Sequence, residues 1–185
     1  FSLCHSYDIR LRVMNYQVDL GVYETFRDPC ISNVIYVDTN AVAGANGQSW
    51  SKAFQTLSEA LFVAHTCPDV DTILITEGTY FPETKPYEMD VTMKGQEITT
   101  GNDRDLTFHI RQGLTIIGGF PGGGDDSPST AYKTNLVGRK EFSSFPSYHT
   151  IVMDTSTMWT NTNKESSIQY CIIKGGVSET GLDPD

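Results

Sequence analysis

The stretch TLSEALFVAHTCPDVDTILITEGTY, residues 56–80, joins the clearest helix signal in the chain to the start of a series of strands. Its apolar side chains recur at spacings of three and four, so they share one face of a helix predicted over residues 57–65: Leu57, Ala60, Leu61 and Ala64. Thr56 and Glu59 form a capping box, in which each side chain satisfies a free backbone N–H. Pro68 ends the helix because the residue before a proline is pushed out of the helical region.

After Pro68 the pattern changes to short apolar runs separated by polar turns, and the sequence shows no further helix signal. Strands are predicted at residues 72–76, 79–81, 106–110, 114–120, 135–137, 150–154 and 167–174. A strand series without intervening helices excludes an ordinary doubly wound sheet. It leaves a sandwich, a barrel or a β-solenoid.

Three features favour the solenoid, although the strand spacing is not an exact repeat. Glycines follow strands at Gly118-Gly119, Gly138 and Gly175-Gly176, as expected where a chain turns a tight corner. The strands lack strict in-out alternation, and the single helix precedes them, where a solenoid needs a cover for its apolar end. The predicted fold is therefore all-β, a solenoid with one short N-terminal capping α-helix.

The beginning of the chain is predicted to belong to a different module. Residues 1–28 hold two strand-like pieces and end in the polar break Arg27-Asp28-Pro29, where a central strand cannot continue. We place the boundary there, with 1–28 as the end of a preceding module, 29–33 as a linker, and 34–185 as the cap and first coils of a second module. No signal peptide opens the chain, so we expect that one has been removed or lies upstream of Phe1.

Composition and charge narrow the function classes. The chain has 185 residues, 13 basic against 23 acidic, and a net charge of -10, so it would repel a phosphate backbone or an anionic membrane surface. No apolar run approaches the roughly 20 residues that cross a bilayer. We therefore expect no nucleic acid partner, no membrane insertion, and a secreted or cell-surface protein kept soluble by its charge.

The four cysteines are too widely spaced for a zinc ribbon or a redox dithiol. An even count permits two disulfides in an oxidising compartment, with three connectivities. Cys171 lies in an apolar strand, and we interpret it as a buried small residue. The pairing among Cys4, Cys30, Cys67 and Cys171 stays open.

Several motifs, in their order along the chain, resemble the N-terminal region of bacterial right-handed parallel β-helix proteins of the pectin-lyase-like superfamily. They are VIYVDTN at 34–40, GQSWSKAF at 47–54, DTILITEGTY at 71–80 and GLTIIGGF at 113–120. The segment VDLGVYE at 18–24 is similar to the closing motif of β-helix modules with a choice-of-anchor domain in bacterial surface proteins. The resemblance implies tandem β-helix modules and a right-handed solenoid.

Several residues of these motifs have a structural interpretation in this chain. Trp50 and Phe54 lie between the first strand and the helix, where their rings are expected to wedge the cap against the first coil. Gly78 is expected at a corner between two strands, because glycine readily adopts the backbone conformations that tight turns require. Tyr80 is expected to bury its ring while its hydroxyl reaches solvent.

No residue is predicted to be catalytic, cofactor-binding or metal-binding. The resemblance implies that polysaccharide-cleaving relatives hold calcium with aspartates beside a basic residue, and the nearest candidates here are Asp103, Arg104, Asp105, Asp125, Asp126, Arg139 and Lys140. The aspartates sit in Gly- and Asn-rich loops, where Asp caps its own backbone, and the basic pair follows a corner on a solvated face. Calcium is the one cofactor left open, with residues 38–46 as another source of oxygen ligands.

The remaining chemistry-bearing residues point to no site. The histidines are too dispersed to suggest a zinc pair: His5, His65, His109 and His149. We expect a non-catalytic adhesin-like stalk or glycan-binding module, whose partners are extracellular glycans, other surface proteins and tandem modules of its own chain. The competing hypothesis is a polysaccharide lyase or glycoside hydrolase with its active coils beyond residue 185, because this scaffold hosts both kinds of protein.

Overall fold

The computed structural model describes residues 32–84, 103–124, 127–139, 146–153 and 165–175. These residues form mostly short strands, with a single α-helix, α1, at Leu57–Thr66. Nine strands follow the chain in order: β1 Val34–Val37, β2 Thr72–Thr76, β3 Gly78–Tyr80, β4 Phe108–Ile110, β5 Thr115–Phe120, β6 Thr134–Val137, β7 Ile151–Met153, β8 Ser167–Gln169 and β9 Cys171–Lys174. Two 3-10 turns lie at Trp50–Lys52 and Asp103–Asp105.

The strands make three sheets, and every strand pair among the described residues is parallel. Sheet A has the order β1-β2-β5-β8, sheet B the order β3-β6-β9, and sheet C pairs β4 with β7. From β2 onward the chain visits the sheets in the repeating order A, B, C. Each return therefore adds one strand to the same side of each sheet.

The register between neighbouring strands places similar side chains in columns across each sheet. In sheet A, Ile35 faces Ile73, Ile73 faces Ile116, and Ile116 faces Ile168. The first three of these isoleucines are almost fully buried, and together with side chains from all three sheets and α1 they form one hydrophobic core. Burying such side chains is the main source of stability, at about 1.5–3 kcal/mol for each.

Two of the three links from sheet A to sheet B are sharp turns in the chain. One residue, Glu77, separates β2 from β3, and one residue, Tyr170, separates β8 from β9. Gly78 has φ 149°, and Tyr170 adopts φ 54°, a left-handed conformation that is uncommon for a residue with a side chain. The predicted strand at residues 167–174 is therefore wrong as a single element, because the backbone turns at Tyr170 and the two halves enter different sheets.

Two adjacent glycines make room for the next pass of the chain. A Cβ on Gly118 would lie 2.7 Å from the Cys171 sulfur, and one on Gly119 would lie 2.9 Å from the Tyr170 Cβ. The register between β2 and β5 shifts at this point, so β5 carries an extra residue there. The predicted glycine-rich turn thus also serves close packing between strands.

Helix α1 forms as predicted from its local sequence. The Glu59 N–H donates to the Thr56 hydroxyl at 3.3 Å, and the Thr56 N–H donates to the Glu59 carboxylate at 3.2 Å, which completes the capping box. The apolar face of α1 is fully buried and packs against β1 and β4, the first strands of sheets A and C. The helix therefore covers the side of sheets A and C on which β1 and β4 lie.

The free side of β1 is closed by residues 47–54. The Tyr36 N–H donates to the Gly47 carbonyl at 2.9 Å, and the Asp38 N–H donates to the Phe54 carbonyl at 2.8 Å. The Phe54 N–H in turn donates to the Tyr36 carbonyl at 2.9 Å. We call this side of the molecule, formed by residues 47–54 and α1, the sealed end.

The other strands predicted after Pro68 are confirmed, with bounds that differ by at most two residues. Tyr80 corrects an expectation, because it is only 3% exposed and its hydroxyl donates to the Thr76 carbonyl at 3.2 Å instead of reaching solvent. Burial, opposed by the hydrogen bond to Thr76, raises the pKa of Tyr80 to about 12. The predicted module end at 1–28 and most of the linker at 29–33 lie outside the described residues.

Candidate functional surfaces

The candidate basic and acidic group at residues 103–105 has structural contacts. The Arg104 guanidinium lies 4.2 Å over the Tyr148 ring, and its Nε donates to the Pro146 carbonyl at 3.3 Å. Asp105 is 6% exposed. These contacts fasten the turn to residues 146–148, and Arg139 is exposed on the surface. The Asp103 side chain, Asp125, Asp126 and Lys140 lie outside what the structure describes.

The candidate loop at residues 38–46 uses its first carboxylate internally. Asp38 Oδ1 accepts hydrogen bonds from the Asn40 N–H at 2.9 Å and from Asn40 Nδ2 at 3.3 Å. Its Oδ2 accepts from the Gly123 N–H at 3.0 Å, which ties this loop to the segment after β5. Within the described ranges, no three His, Cys, Asp or Glu residues are grouped as metal ligands would be.

Two of the dispersed histidines meet in the fold. His65 on α1 and His109 on β4 are both buried, and their ring centroids are 4.8 Å apart. The Nδ1 atom of His65 lies 2.8 Å from the Leu61 carbonyl. Sequence spacing gave no signal for this pair, since the contact depends on how α1 packs on sheet C. His149 is exposed, and His5 lies outside the described residues.

Arg111 is a buried cation that sequence reasoning missed. Its Nε donates to the Ala64 carbonyl at 2.6 Å, its Nη1 to the Gln112 carbonyl at 3.0 Å, and its Nη2 to the carbonyls of Pro68 and Val70. Three of these four acceptors lie at the C-terminal end of α1 or just after it, where carbonyls lack helical partners. Arg111 directly follows β4, so it fastens the C-terminal end of α1 to that strand.

Electrostatics at Arg111 fit this structural role. Burial lowers the pKa of the Arg111 guanidinium, and the charge of Asp71 opposes that effect. Arginine stays protonated in proteins, so the group keeps its charge and its donors. No local motif marks this residue in the sequence, because three of its four acceptors lie more than 40 residues earlier in the chain.

The aromatic residues before α1 pack against the first strand and the hydrophobic core. The Trp50 ring lies 4.8 Å from Tyr36 and 5.1 Å from Phe120, centroid to centroid. Gly124 covers the indole so closely that a Cβ there would lie 2.0 Å from it. Trp50 thus links β1 to the end of β5, while Phe54 packs against the hydrophobic core and Gly47.

The two described cysteines differ in state. Cys67 is fully buried and disulfide-bonded, with its partner outside the described residues. Cys171 is a free thiol in β9 and is partly buried, in agreement with its interpretation as a small packing residue. Burial raises the pKa of Cys171 to about 11, against a smaller lowering by the Gly118 backbone.

One face of sheet A is partly open to solvent. Its outward side chains stack into two columns, which we call the outer face: Val34, Thr72, Thr115 and Ser167 in one, and Tyr36, Leu74, Ile117 and Gln169 in the other. Seven of these residues are partly buried, and Gln169 is exposed. The face therefore presents hydroxyls beside apolar side chains, repeated at the spacing of neighbouring strands, about 4.8 Å.

A second surface lies opposite the sealed end. Within the described residues, β7, β8 and β9 each pair on one side only, and we call their unpaired sides the far end. The apolar residues exposed there are Met153 at 47%, Tyr170 at 47%, Ile172 at 40% and Ile173 at 52%.

No protein-family model matches the chain, and neither a curated protein nor a solved structure matches it. Among the described residues, α1 is too short to span a bilayer.

Proposed function

We propose that the three sheets are the faces of a right-handed parallel β-helix with α1 as its N-terminal cap. The support is the repeating order A, B, C, together with parallel, in-register pairing of each strand to the strand one pass earlier. Parallel crossovers within one sheet are right-handed in nearly all proteins, which favours that hand here. The pectin-lyase-like resemblance belongs to the same proposal.

On this fold we propose a non-catalytic, secreted or cell-surface module that acts as an adhesin-like stalk and binds extracellular glycans. The observation that carries the proposal is the outer face of sheet A. Sugars present hydroxyls and apolar C–H faces together, so a surface that alternates hydroxyl and apolar columns matches both. The disulfide at Cys67 is consistent with an oxidising compartment.

Charge favours one class of glycan over another. The chain carries a net charge of -10, so an acidic polysaccharide would be repelled at low salt unless a cation such as calcium bridged the two. A neutral polysaccharide avoids this cost. We therefore propose neutral glycans as the preferred ligands, with calcium-bridged binding of acidic glycans as the alternative that the test separates.

The test measures binding of the chain to neutral and acidic polysaccharides, with and without a calcium chelator, by isothermal titration calorimetry. We expect chelator-insensitive binding to a neutral polysaccharide. Thr115→Lys, on the outer face, should weaken this binding about tenfold, or ~1.4 kcal/mol. Its matched control is Thr79→Lys, because Thr79 is an exposed threonine on sheet B and should not matter.

Other outcomes would overturn the proposal. Equal weakening by both substitutions would place the site elsewhere, and no binding to any polysaccharide would remove the glycan-binding role. Cleavage of an acidic polysaccharide, abolished by the chelator, would instead establish the competing lyase activity.

A further inference from the structure

We propose that Cys67 forms its disulfide with Cys30, so that one covalent bond ties the residues before β1 to the C-terminal end of α1. Cys67 is disulfide-bonded and Cys171 is a free thiol, which leaves Cys4 and Cys30 as the possible partners among the four cysteines. The inference goes beyond the proposed function and does not require glycan binding.

Cys67 is held in a fixed place at the end of α1. Its N–H donates to the Val63 carbonyl at 2.9 Å, and its carbonyl accepts from the Val70 N–H at 3.1 Å. The residue is fully buried in the hydrophobic core. Because the Cα atoms of two bonded cysteines usually lie about 4.4–6.8 Å apart, the partner must come to this end of the helix.

The chain that enters β1 passes close to the same place. The Asn33 carbonyl accepts hydrogen bonds from the N–H of Asp71 at 2.9 Å and from the N–H of Thr72 at 3.2 Å. Asp71 is four residues after Cys67, and the hydrogen bond from Val70 to Cys67 folds the intervening residues into a turn. The backbone of Asn33 is therefore anchored beside the segment that follows Cys67.

A short piece of chain separates Cys30 from this anchor, and a long one separates Cys4 from it. Cys30 is three residues before Asn33, and Cys4 is 29 residues before it. Three residues reach up to about 10 Å, which is enough to bring Cys30 alongside the turn that begins at Cys67. Because the probability that two chain positions meet falls with the length of chain between them, Cys30 is favoured over Cys4 about 30-fold.

The bond forms by oxidation of two thiols. The thiolate of one cysteine attacks an external disulfide, such as that of a disulfide-bonded oxidoreductase, and the thiolate of the other then displaces it from the mixed disulfide. One S–S bond forms in the chain and one breaks in the oxidant, which takes up the two electrons and the two protons and leaves as a dithiol. Oxidants of this class act where secreted proteins fold.

The disulfide gives the end of α1 a second attachment. Arg111, directly after β4, donates to carbonyls at this end and holds it against sheet C. The bond to Cys30 holds the same end against the chain that enters β1 in sheet A. It also joins part of the linker predicted at 29–33 to the second module, whereas Cys4 in the preceding module takes no part.

Peptide mapping under non-reducing conditions tests the pairing, because trypsin places the four cysteines in four different peptides: residues 1–10, 28–52, 53–94 and 165–174. The chain is folded with glutathione disulfide, its free thiols are blocked with iodoacetamide in urea, and the digest is analysed by mass spectrometry. We expect peptide 28–52 linked to peptide 53–94 and a blocked thiol in peptide 165–174. A link between peptides 1–10 and 53–94, or a blocked thiol at Cys67, would overturn the proposal.

Thermal unfolding of two variants gives a second measurement. In the unsubstituted chain, a reductant should lower Tm by about 10 °C, because it opens the loop that the disulfide closes. Cys30→Ser should show the lower Tm with or without reductant, whereas the matched control Cys4→Ser should keep the higher Tm and its response to reductant. The reverse pattern would make Cys4 the partner, and an equal response in both variants would also contradict the proposal. The peptide map of the unsubstituted chain decides the pairing even if a variant fails to fold.

Discussion

The two ends of the sheets differ although the same columns of side chains run through both. At the sealed end, α1 and residues 47–54 cover the apolar side chains and use the free positions of β1. At the far end, the same columns finish in half-exposed side chains on strands that, within the described ranges, pair on one side only. In-register strand pairing thus explains the columns of side chains. The sealed end is closed by α1 and residues 47–54, which do not repeat along the chain.

The largest expected effect on the free energy of unfolding comes from truncating a side chain at the buried position of one column, compared with the exposed position of the same column. Leu136→Ala removes a fully buried side chain and should lower the free energy of unfolding by about 2–5 kcal/mol. Ile173→Ala, at its register partner, should cost less than about 1 kcal/mol because half of that side chain already meets solvent. Urea unfolding of the two variants measures both losses. Equal losses would mean that the far end is covered.

The next effect tests how α1 is held at the sealed end. Arg111→Met leaves several backbone carbonyls at the end of α1 without their donor and should cost about 2–4 kcal/mol. The control Arg139→Met removes an exposed arginine and should change stability by less than about 0.5 kcal/mol. Thermal unfolding compares the two. A small loss for Arg111→Met would show that α1 stays in place without this residue.

Cys171, at the far end, gives a pH-dependent contrast between the folded and the unfolded chain. The pKa of Cys171 is raised from 9.0 to about 11, so at pH 8 its reactive thiolate is roughly 100-fold scarcer in the folded chain than in the unfolded one. The contribution of the buried neutral thiol to stability is complete at pH values below the pKa of Cys171 in the unfolded chain. It is lost as the pH rises toward the pKa of Cys171 in the folded chain. Alkylation rates in native and urea-unfolded protein, with Cys171→Ser subtracted, measure the difference. Equal rates would contradict the burial of the thiol.

The smallest effect concerns the start of α1. Thr56→Ala removes the hydroxyl that accepts the Glu59 N–H and should cost about 1 kcal/mol. Ser51→Ala, outside the helix, is the matched loss of a hydroxyl and should be close to neutral. Denaturant unfolding of the two variants separates the cap from a general effect of losing a polar group.

Local sequence patterns predicted the helix and most of the strands. They could not predict contacts between residues that are far apart in the chain. The helix and its capping box are encoded within ten residues of sequence, so Thr56 and Glu59 could be read directly. Arg111, by contrast, acts on carbonyls of another part of the chain. The turn at Tyr170 was missed because its backbone conformation normally selects glycine or asparagine, and neither occurs there.

Prediction of the outer face and of buried contacts was limited in the same way. Alternation along a strand indicates which side chains share a face, but the outer face exists only through the register that aligns Thr72, Thr115 and Ser167. The meeting of His65 and His109 likewise follows from the packing of α1 on β4. Aspartates and basic residues, which the sequence offered first as candidates, mostly serve local structure where the chain is described.

The connection between β5 and β6 stands apart from the other links between sheets A and B. Those links contain one residue, whereas residues 121–133 lie between these two strands. Even so, β6 keeps its register with both β3 and β9. Insertions cost little once a loop is long, about 0.6 kcal/mol for each doubling of its length. Within this link the exposed pair Thr130-Ala131, outside the contacts that Gly123 and Gly124 make with Asp38 and Trp50, is therefore the natural place to graft a foreign peptide for display, or for evolution to vary the chain.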